Sequence, residues 1–105
     1  MLLNEINVPH STIQLLSGHS RLNTFLARIS TISSGLCACE MENESIEHFL
    51  FRCPRFIVQQ NTFRLSLLSL QTPWPPPLNA LAQSTERLHS LIHYVTSTKR
   101  LNVFM

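Results

Sequence analysis

The feature that most constrains this chain is a group of cysteine and histidine residues near its middle. The stretch GLCACEMENESIEHFLFRCPRF, residues 35–56, contains all three cysteines of the 105 residues and one of the five histidines. A disulfide framework needs cysteines in pairs, so an odd count argues against one. In a reducing compartment, clustered Cys and His residues more often bind metal than form disulfides. The stretch is therefore either a metal site or a set of buried thiols beside an acidic loop.

The spacing Cys37-x-Cys39-x8-His48-x4-Cys53 provides the four ligands of a Cys3His structural zinc site. Cys37 and Cys39 can project into one site from a tight turn. On a continuous α-helix, His48 and Cys53 would lie about 140° apart and could not converge. Pro54 predicts a break at that point because it disfavours the α region at Cys53. We predict structural zinc, and the alternative of three small buried thiols with an unrelated histidine stays open.

The size of the chain also suits a bound metal ion. A chain of 105 residues predicts one small domain near the lower limit for burying a core unaided, and such domains often need a metal as a staple. The sequence contains no uninterrupted run of about 18 apolar residues, so we predict no membrane-spanning helix. The N-terminal residues do not resemble a signal peptide. We expect an intracellular protein of the cytoplasm or nucleus, without membrane contact.

Apolar residues at helical spacing predict a mainly α fold of four to five short helices around a loop-rich, zinc-knuckle-like centre. A helical hairpin is expected over residues 11–29, with Gly18 in its turn. A short helix is expected from Ser45 to about Arg52, because Ser45 can cap its N-terminus. A longer helix should begin at Pro54, with Phe56, Phe63, Leu67 and Leu70 on one stripe and Ile57 and Leu68 beside it. A last helix should span about 84–97.

A proline-rich segment, QTPWPPPL, suggests a boundary after residue 70. Four prolines in eight residues favour an extended, semi-rigid conformation. We therefore divide the chain into a zinc-binding-like module at 1–70, a linker at 71–83, and a C-terminal helix and tail at 84–105. Trp74, within the linker, is expected to pack over a helix, and stacking on a base is the alternative.

The charges are distributed unevenly, although the net charge is only +2. Four of the six acidic residues lie between positions 40 and 47, and all eight basic residues lie outside this loop. The basic residues are either solvated surface groups or contacts to a phosphate backbone. The candidate contacts to nucleic acid are Arg52 and Arg55, which flank Cys53, together with Arg21, Arg28 and Arg64.

The segments LLSGHSRLNTFLARIS and LCACE…ESIEHFLFRCPRF resemble the C-terminal region of non-LTR retrotransposon reverse transcriptases, known as the reverse-transcriptase zinc-binding region. In that family a Gly-His turn between two helices precedes a C-x-C pair, an acidic loop and an E-H-x-x-x-x-C-P segment. By this resemblance, which covers residues 11–56, the zinc ligands are Cys37, Cys39, His48 and Cys53, and the turn is Gly18-His19. His19 is expected to be structural, with zinc ligation and phosphate contact as alternatives.

The resemblance also implies a context and reveals one departure. The family region lies downstream of the polymerase and, where present, the RNase H domain, so the chain is expected to be a fragment that contacts the rest of a polyprotein. The family usually has glycine after its cysteine pair, whereas this chain has Glu40. A positive φ in the knuckle turn would cost glutamate more than glycine.

We expect no enzyme activity and no small-molecule substrate. Two-metal nuclease and polymerase chemistry requires several converging carboxylates, and this chain contains no Asp and has most of its Glu residues in one loop. Two roles remain. One is a zinc-held module that contacts RNA or single-stranded DNA, and the other is a structural or protein-interaction module, or a retroelement relic, without nucleic-acid contact.

Overall fold

The computed structural model describes residues 8–101, and this part of the chain is mainly helical, as predicted. Residues 1–7 and 102–105, which belong to the predicted first and last units, lie outside the described residues. Within residues 8–101 the α-helices are α1 (His10–Ser17), α2 (Asn23–Arg28), α3 (Ile57–Ser69) and α4 (Thr85–Thr98). A π-helical turn spans His48–Arg52, and 3-10 turns span Pro54–Phe56 and Leu78–Ala82. Residues 8–101 contain no β-strand beyond one isolated bridge.

The predicted helical hairpin is present as α1 and α2. Helix α1 ends at Gly18, whose φ of +84° lies in the left-handed region that glycine adopts without steric cost. The His19 N–H reaches back to the Gln14 carbonyl at 2.9 Å and completes the turn. Gly18 therefore reverses the chain where the sequence indicated, and Leu15 and Leu22 from the two helices enter the core.

Helices α3 and α4 pack against each other and contribute six of the buried apolar side chains of the core. The start of α4 follows the prediction, because the Ser84 hydroxyl accepts a hydrogen bond from the Arg87 N–H at 3.1 Å. The Tyr94 hydroxyl donates to the buried Phe49 carbonyl, which ties α4 to the π-helical turn. The buried apolar side chains of these helices, the π-helical turn and the two 3-10 turns are Phe49, Leu50, Phe56, Phe63, Leu67, Leu81, Leu88, Leu91, Tyr94 and Val95.

The opposite face of α3 is unusually apolar for a surface. Ile57, Val58, Leu65 and Leu68 are between 58 and 71% exposed. The predicted buried stripe is confirmed at Phe63 and Leu67, whereas Ile57 and Leu68 point to solvent because α3 contacts α4 through one face only. Scattered surface aliphatics are ordinary, but these four lie within about 100° of one another on one side of α3.

The predicted linker at 71–83 connects α3 to α4 through packed residues. Trp74 meets Phe51 and Phe63 in edge-to-face contacts, with ring centroids 5.0 and 5.6 Å apart. Pro76 and Leu81 are buried. Trp74 thus packs over helical residues, as expected from the sequence, and the segment contributes to the core instead of extending into solvent.

Among the described residues, no helix is both long enough and apolar enough to cross a lipid bilayer.

Candidate metal centre

The first two cysteines lie on a short hairpin, residues 35–44, which we call the knuckle hairpin. A single antiparallel bridge joins Leu36 to Asn43, and the Cys37 N–H donates to the Glu42 carbonyl at 3.0 Å. The Met41 N–H points at the Cys39 sulfur at 3.5 Å. Backbone hydrogen bonds therefore hold both cysteines in one tight turn, as the C-x-C spacing predicted.

Glu40 adopts the conformation that the family's glycine would favour. Its φ is +67°, in the left-handed region, and its N–H donates to the Cys37 carbonyl at 2.9 Å. An L-residue other than glycine adopts this conformation at a cost of about 1–2 kcal/mol. The knuckle turn therefore stores backbone strain at Glu40.

His48 and Cys53 converge through a π-helical turn. The Cys53 N–H donates to the His48 carbonyl at 2.8 Å, an i→i+5 hydrogen bond. This wider turn returns the chain to the same side after five residues, which an α-helix does not do. The Ser45 hydroxyl accepts from the His48 N–H at 3.1 Å, so the predicted cap is present. Pro54 follows, and Cys53 has the extended ψ of 120° that a residue before proline favours.

The four predicted ligand atoms come together into one cluster that could hold a metal ion. The Cys37 and Cys53 sulfurs are 3.7 Å apart, and the Cys39 sulfur is 3.3 Å from His48 Nε2. All four ligand atoms lie within 4.8 Å of one another. Tetrahedral zinc with bonds of about 2.3 Å to sulfur sets two sulfurs about 3.8 Å apart. The cluster therefore fits such an ion after shifts of at most about 1 Å.

The three cysteines are free thiols in different environments. Burial raises the pKa of Cys37, which is almost inaccessible to solvent. Desolvation acts the same way on Cys39, but hydrogen bonds from the Met41 N–H and from its thiol and imidazole neighbours outweigh it and lower the Cys39 pKa to about 7. The thiolate is the form that binds metal, so the lowered pKa favours the metal-binding form of Cys39.

A carboxylate stands behind the histidine ligand. Glu42 Oε2 lies 3.2 Å from His48 Nδ1, although Nδ1 is buried and makes no well-aligned hydrogen bond. Arg52 holds the Glu42 carboxylate with contacts of 3.0–3.3 Å, and the hydrogen bond from Arg52 lowers the pKa of Glu42. A carboxylate behind a ligating histidine is usual in metal sites.

A second arginine lies against the sulfur ligands. The Arg55 guanidinium is 3.4 Å from the Cys53 sulfur and 3.3 Å from the Cys37 sulfur, and it also meets Glu44 at 3.1 Å. Glu44 is 1% exposed and binds Arg100 as well. Burial alone would raise the pKa of Glu44, but hydrogen bonds from Arg100 and the Asn23 N–H hold that pKa below its usual value.

The remaining predicted residues lie away from the cluster. His19 is exposed and packs edge-on against Phe25 at 5.8 Å, in keeping with a structural role in the turn. Arg28 folds back over the Phe25 ring and the Gly18 carbonyl. Arg21 and Arg64 are exposed, and neither forms an ion pair within residues 8–101.

Sequence reasoning missed the roles of Glu42, Glu44 and Arg100. The acidic loop between positions 40 and 47 contains four glutamates, and two of them contact groups around the cluster. Arg100 lies 56 residues from Glu44. No local spacing indicates a contact between residues so far apart, although the placement of Glu42 near a candidate histidine ligand was a usable signal.

Comparisons of this chain with protein-family models, with curated proteins and with solved structures give no match.

Proposed function

We propose that this chain is a non-catalytic zinc-binding module. The observation that carries the proposal is the convergence of three sulfurs and one imidazole nitrogen within 4.8 Å. Three cysteines and a histidine are a usual donor set for structural zinc, and four protein ligands leave no open position for a reacting water. Zinc would fasten the knuckle hairpin to the π-helical turn.

The metal content of the protein purified without chelator tests this proposal. We expect one zinc per chain in the parent protein and loss of that zinc in Cys53→Ser and His48→Gln. His89→Gln is the matched control, because His89 is exposed on α4, outside the cluster, and should leave zinc content unchanged. A parent protein that contains no zinc and takes up none on reconstitution would refute the metal site.

We further propose that the module belongs to the C-terminal part of a non-LTR retrotransposon reverse transcriptase and contacts RNA or single-stranded DNA. The Gly18-His19 turn, the C-x-C pair and the E-H-x-x-x-x-C-P segment support the family assignment. The basic residues outside the acidic loop support the nucleic-acid role. Arg21 and Arg64 are the strongest candidates for phosphate contact, since Arg52 and Arg55 are bound to carboxylates of the chain itself.

Binding to a labelled oligouridine RNA over a range of salt concentrations tests the nucleic-acid role. Each lost phosphate contact should reduce the log–log salt slope by about 1. We expect that reduction for Arg21→Ala and for Arg64→Ala, with Glu86→Ala as the control at another exposed charge. Arg52→Ala should instead weaken zinc binding through Glu42. If the protein does not bind the RNA at low salt, or if its affinity does not change with salt concentration, the nucleic-acid role is contradicted.

One observation favours a second candidate, a module that docks on another part of its polyprotein. Ile57, Val58, Leu65 and Leu68 form the exposed apolar face of α3, and such faces mark protein-contact sites more often than nucleic-acid sites. The test is calorimetric titration with the polymerase and RNase H segment of a related element. The double substitution Leu65→Gln and Leu68→Gln should abolish that binding and leave zinc content unchanged. Unchanged binding would show that the apolar face of α3 is not the docking site.

A further inference from the structure

The guanidinium of Arg55 contacts two candidate ligands at once. One of its nitrogens is 3.4 Å from the Cys53 sulfur, and another is 3.3 Å from the Cys37 sulfur. These two sulfurs are themselves 3.7 Å apart and buried. Arg55 therefore covers the edge of the cluster that joins the knuckle hairpin to the end of the π-helical turn.

The charge of a loaded cluster explains why a cation belongs at this edge. Three thiolates and one divalent ion sum to a net charge of −1, and this charge would lie among buried side chains. A buried charge is costly unless a partner of opposite sign and hydrogen bonds accompany it. Arg55 supplies one positive charge and N–H donors to two sulfurs in a planar fork, a geometry that lysine cannot reproduce.

Glu44 holds the same guanidinium through the nitrogen that contacts the Cys37 sulfur. Its carboxylate accepts from Arg55 at 3.1 Å, from Arg100 at 2.6 and 2.8 Å, and from the Asn23 N–H at 2.7 Å. Arg100 lies just beyond α4, and it touches none of the four candidate ligands. Glu44 therefore links the edge of the cluster to α2 and to the end of α4.

We propose that Arg55 is a positioning residue of the metal centre and that Glu44 and Arg100 hold Arg55 in place. The inference rests on the proposed metal-binding function and adds to it. Metal affinity then depends on Arg100, a residue remote from the ligands. Because coupling between two events is reciprocal, metal binding also strengthens the attachment of the end of α4.

Competition with a chromophoric chelator for Zn²⁺ and the visible spectrum of the Co²⁺-loaded protein test this proposal together. We expect Arg55→Gln to weaken metal binding by about 10–100-fold, the range for partners of metal ligands. Its sulfur-to-cobalt charge-transfer band should move to lower energy, because N–H donors no longer stabilise the sulfur lone pairs. Arg100→Gln should weaken binding by about 5-fold or more. Arg64→Gln, an exposed arginine of α3, is the control.

The outcomes separate this inference from the proposed function. A parent protein that binds neither Zn²⁺ nor Co²⁺ overturns the metal site itself. A parent protein that binds both, with Arg55→Gln retaining its affinity or its band position, overturns the role of Arg55. Unchanged affinity in Arg100→Gln overturns the link through Glu44. If Arg55→Gln does not fold, Arg55→Lys keeps the charge without the fork, and parental affinity and spectrum in that variant refute the geometric argument.

Discussion

Replacing Glu40 by glycine should stabilise this protein. The Glu40 φ of +67° lies in the left-handed region, which costs an L-residue about 1–2 kcal/mol and glycine almost nothing. Glycine loses about 0.4–1 kcal/mol more backbone entropy on folding than a residue with a Cβ. The Glu40 side chain is exposed and makes no hydrogen bond or ion pair within residues 8–101, so nothing else offsets the gain. Glu40→Gly should therefore raise the unfolding free energy by about 0.5–1 kcal/mol.

Urea denaturation of the metal-free and zinc-loaded proteins measures this gain in both states. If the knuckle hairpin forms only when metal binds, Glu40→Gly leaves the metal-free stability unchanged and tightens zinc binding by about 2–5-fold, since about 1.4 kcal/mol corresponds to tenfold. If the hairpin is already formed without metal, the gain is equal in both states and zinc affinity stays the same. The comparison thus reports when the turn acquires its strained conformation.

Two controls separate backbone strain from charge. Glu40→Ala removes the carboxylate but keeps the Cβ, and it should leave stability within about 0.5 kcal/mol of the parent protein. Ser30 lies outside the cluster and has a similar φ of +64°. Ser30→Gly should therefore relieve similar backbone strain and raise the unfolding free energy without changing zinc affinity. If Glu40→Ala stabilises the protein as much as Glu40→Gly, the acidic charge is responsible and the argument from φ is wrong.

Two further predictions concern the core and the buried carboxylate. Trp74→Ala should lower the unfolding free energy by about 3 kcal/mol. This is the low end for truncating a large aromatic residue, because Trp74 is only partly buried. A loss below about 0.5 kcal/mol would mean that residues 71–83 are a loose spacer. Glu44 has a pKa below its usual value in the folded protein, so its contribution is present above the unfolded pKa of about 4.3 and is lost as the pH falls through the folded value. For the chelator-treated protein, Glu44→Gln should reduce the fall in unfolding free energy between pH 6 and 3. Glu86→Gln, at an exposed position, should leave that fall unchanged.

The parts of the fold that follow from neighbouring residues were predictable from the sequence. Gly18 ends α1, Ser84 caps α4, and Pro54 interrupts the helix that contains His48, each for a reason that acts within one turn. The tight turn that presents Cys37 and Cys39 together was predictable for the same reason. These signals depend on backbone conformation and require no knowledge of the tertiary packing.

The parts that depend on distant contacts were not predictable. Glu44 looks like one more acidic residue of a solvated loop, and only the return of the chain at Arg100 turns it into a buried partner of two arginines. The proline-rich segment has the composition of a spacer, yet Trp74 fits between phenylalanines that belong to other segments. Periodicity likewise cannot tell which apolar face of α3 is covered, because both Phe63 and Leu65 satisfy a helical pattern.

The π-helical turn depends partly on neighbouring residues and partly on distant contacts, so it was only partly predictable from the sequence. Two ligands separated by three residues face the same side of an α-helix, so an x3 spacing needs no distortion. An x4 spacing places the second ligand about 100° further round an α-helix, about 140° from the first, so the backbone must widen or break. Here it does both, since the i→i+5 bond from Cys53 to His48 widens the turn and Pro54 then forces an extended residue. The spacing alone indicated a break in the helix. The burial of Phe49 and Leu50 keeps the four residues between His48 and Cys53 helical. Ligand convergence in this chain is therefore a joint product of the proline and of the core beneath the turn.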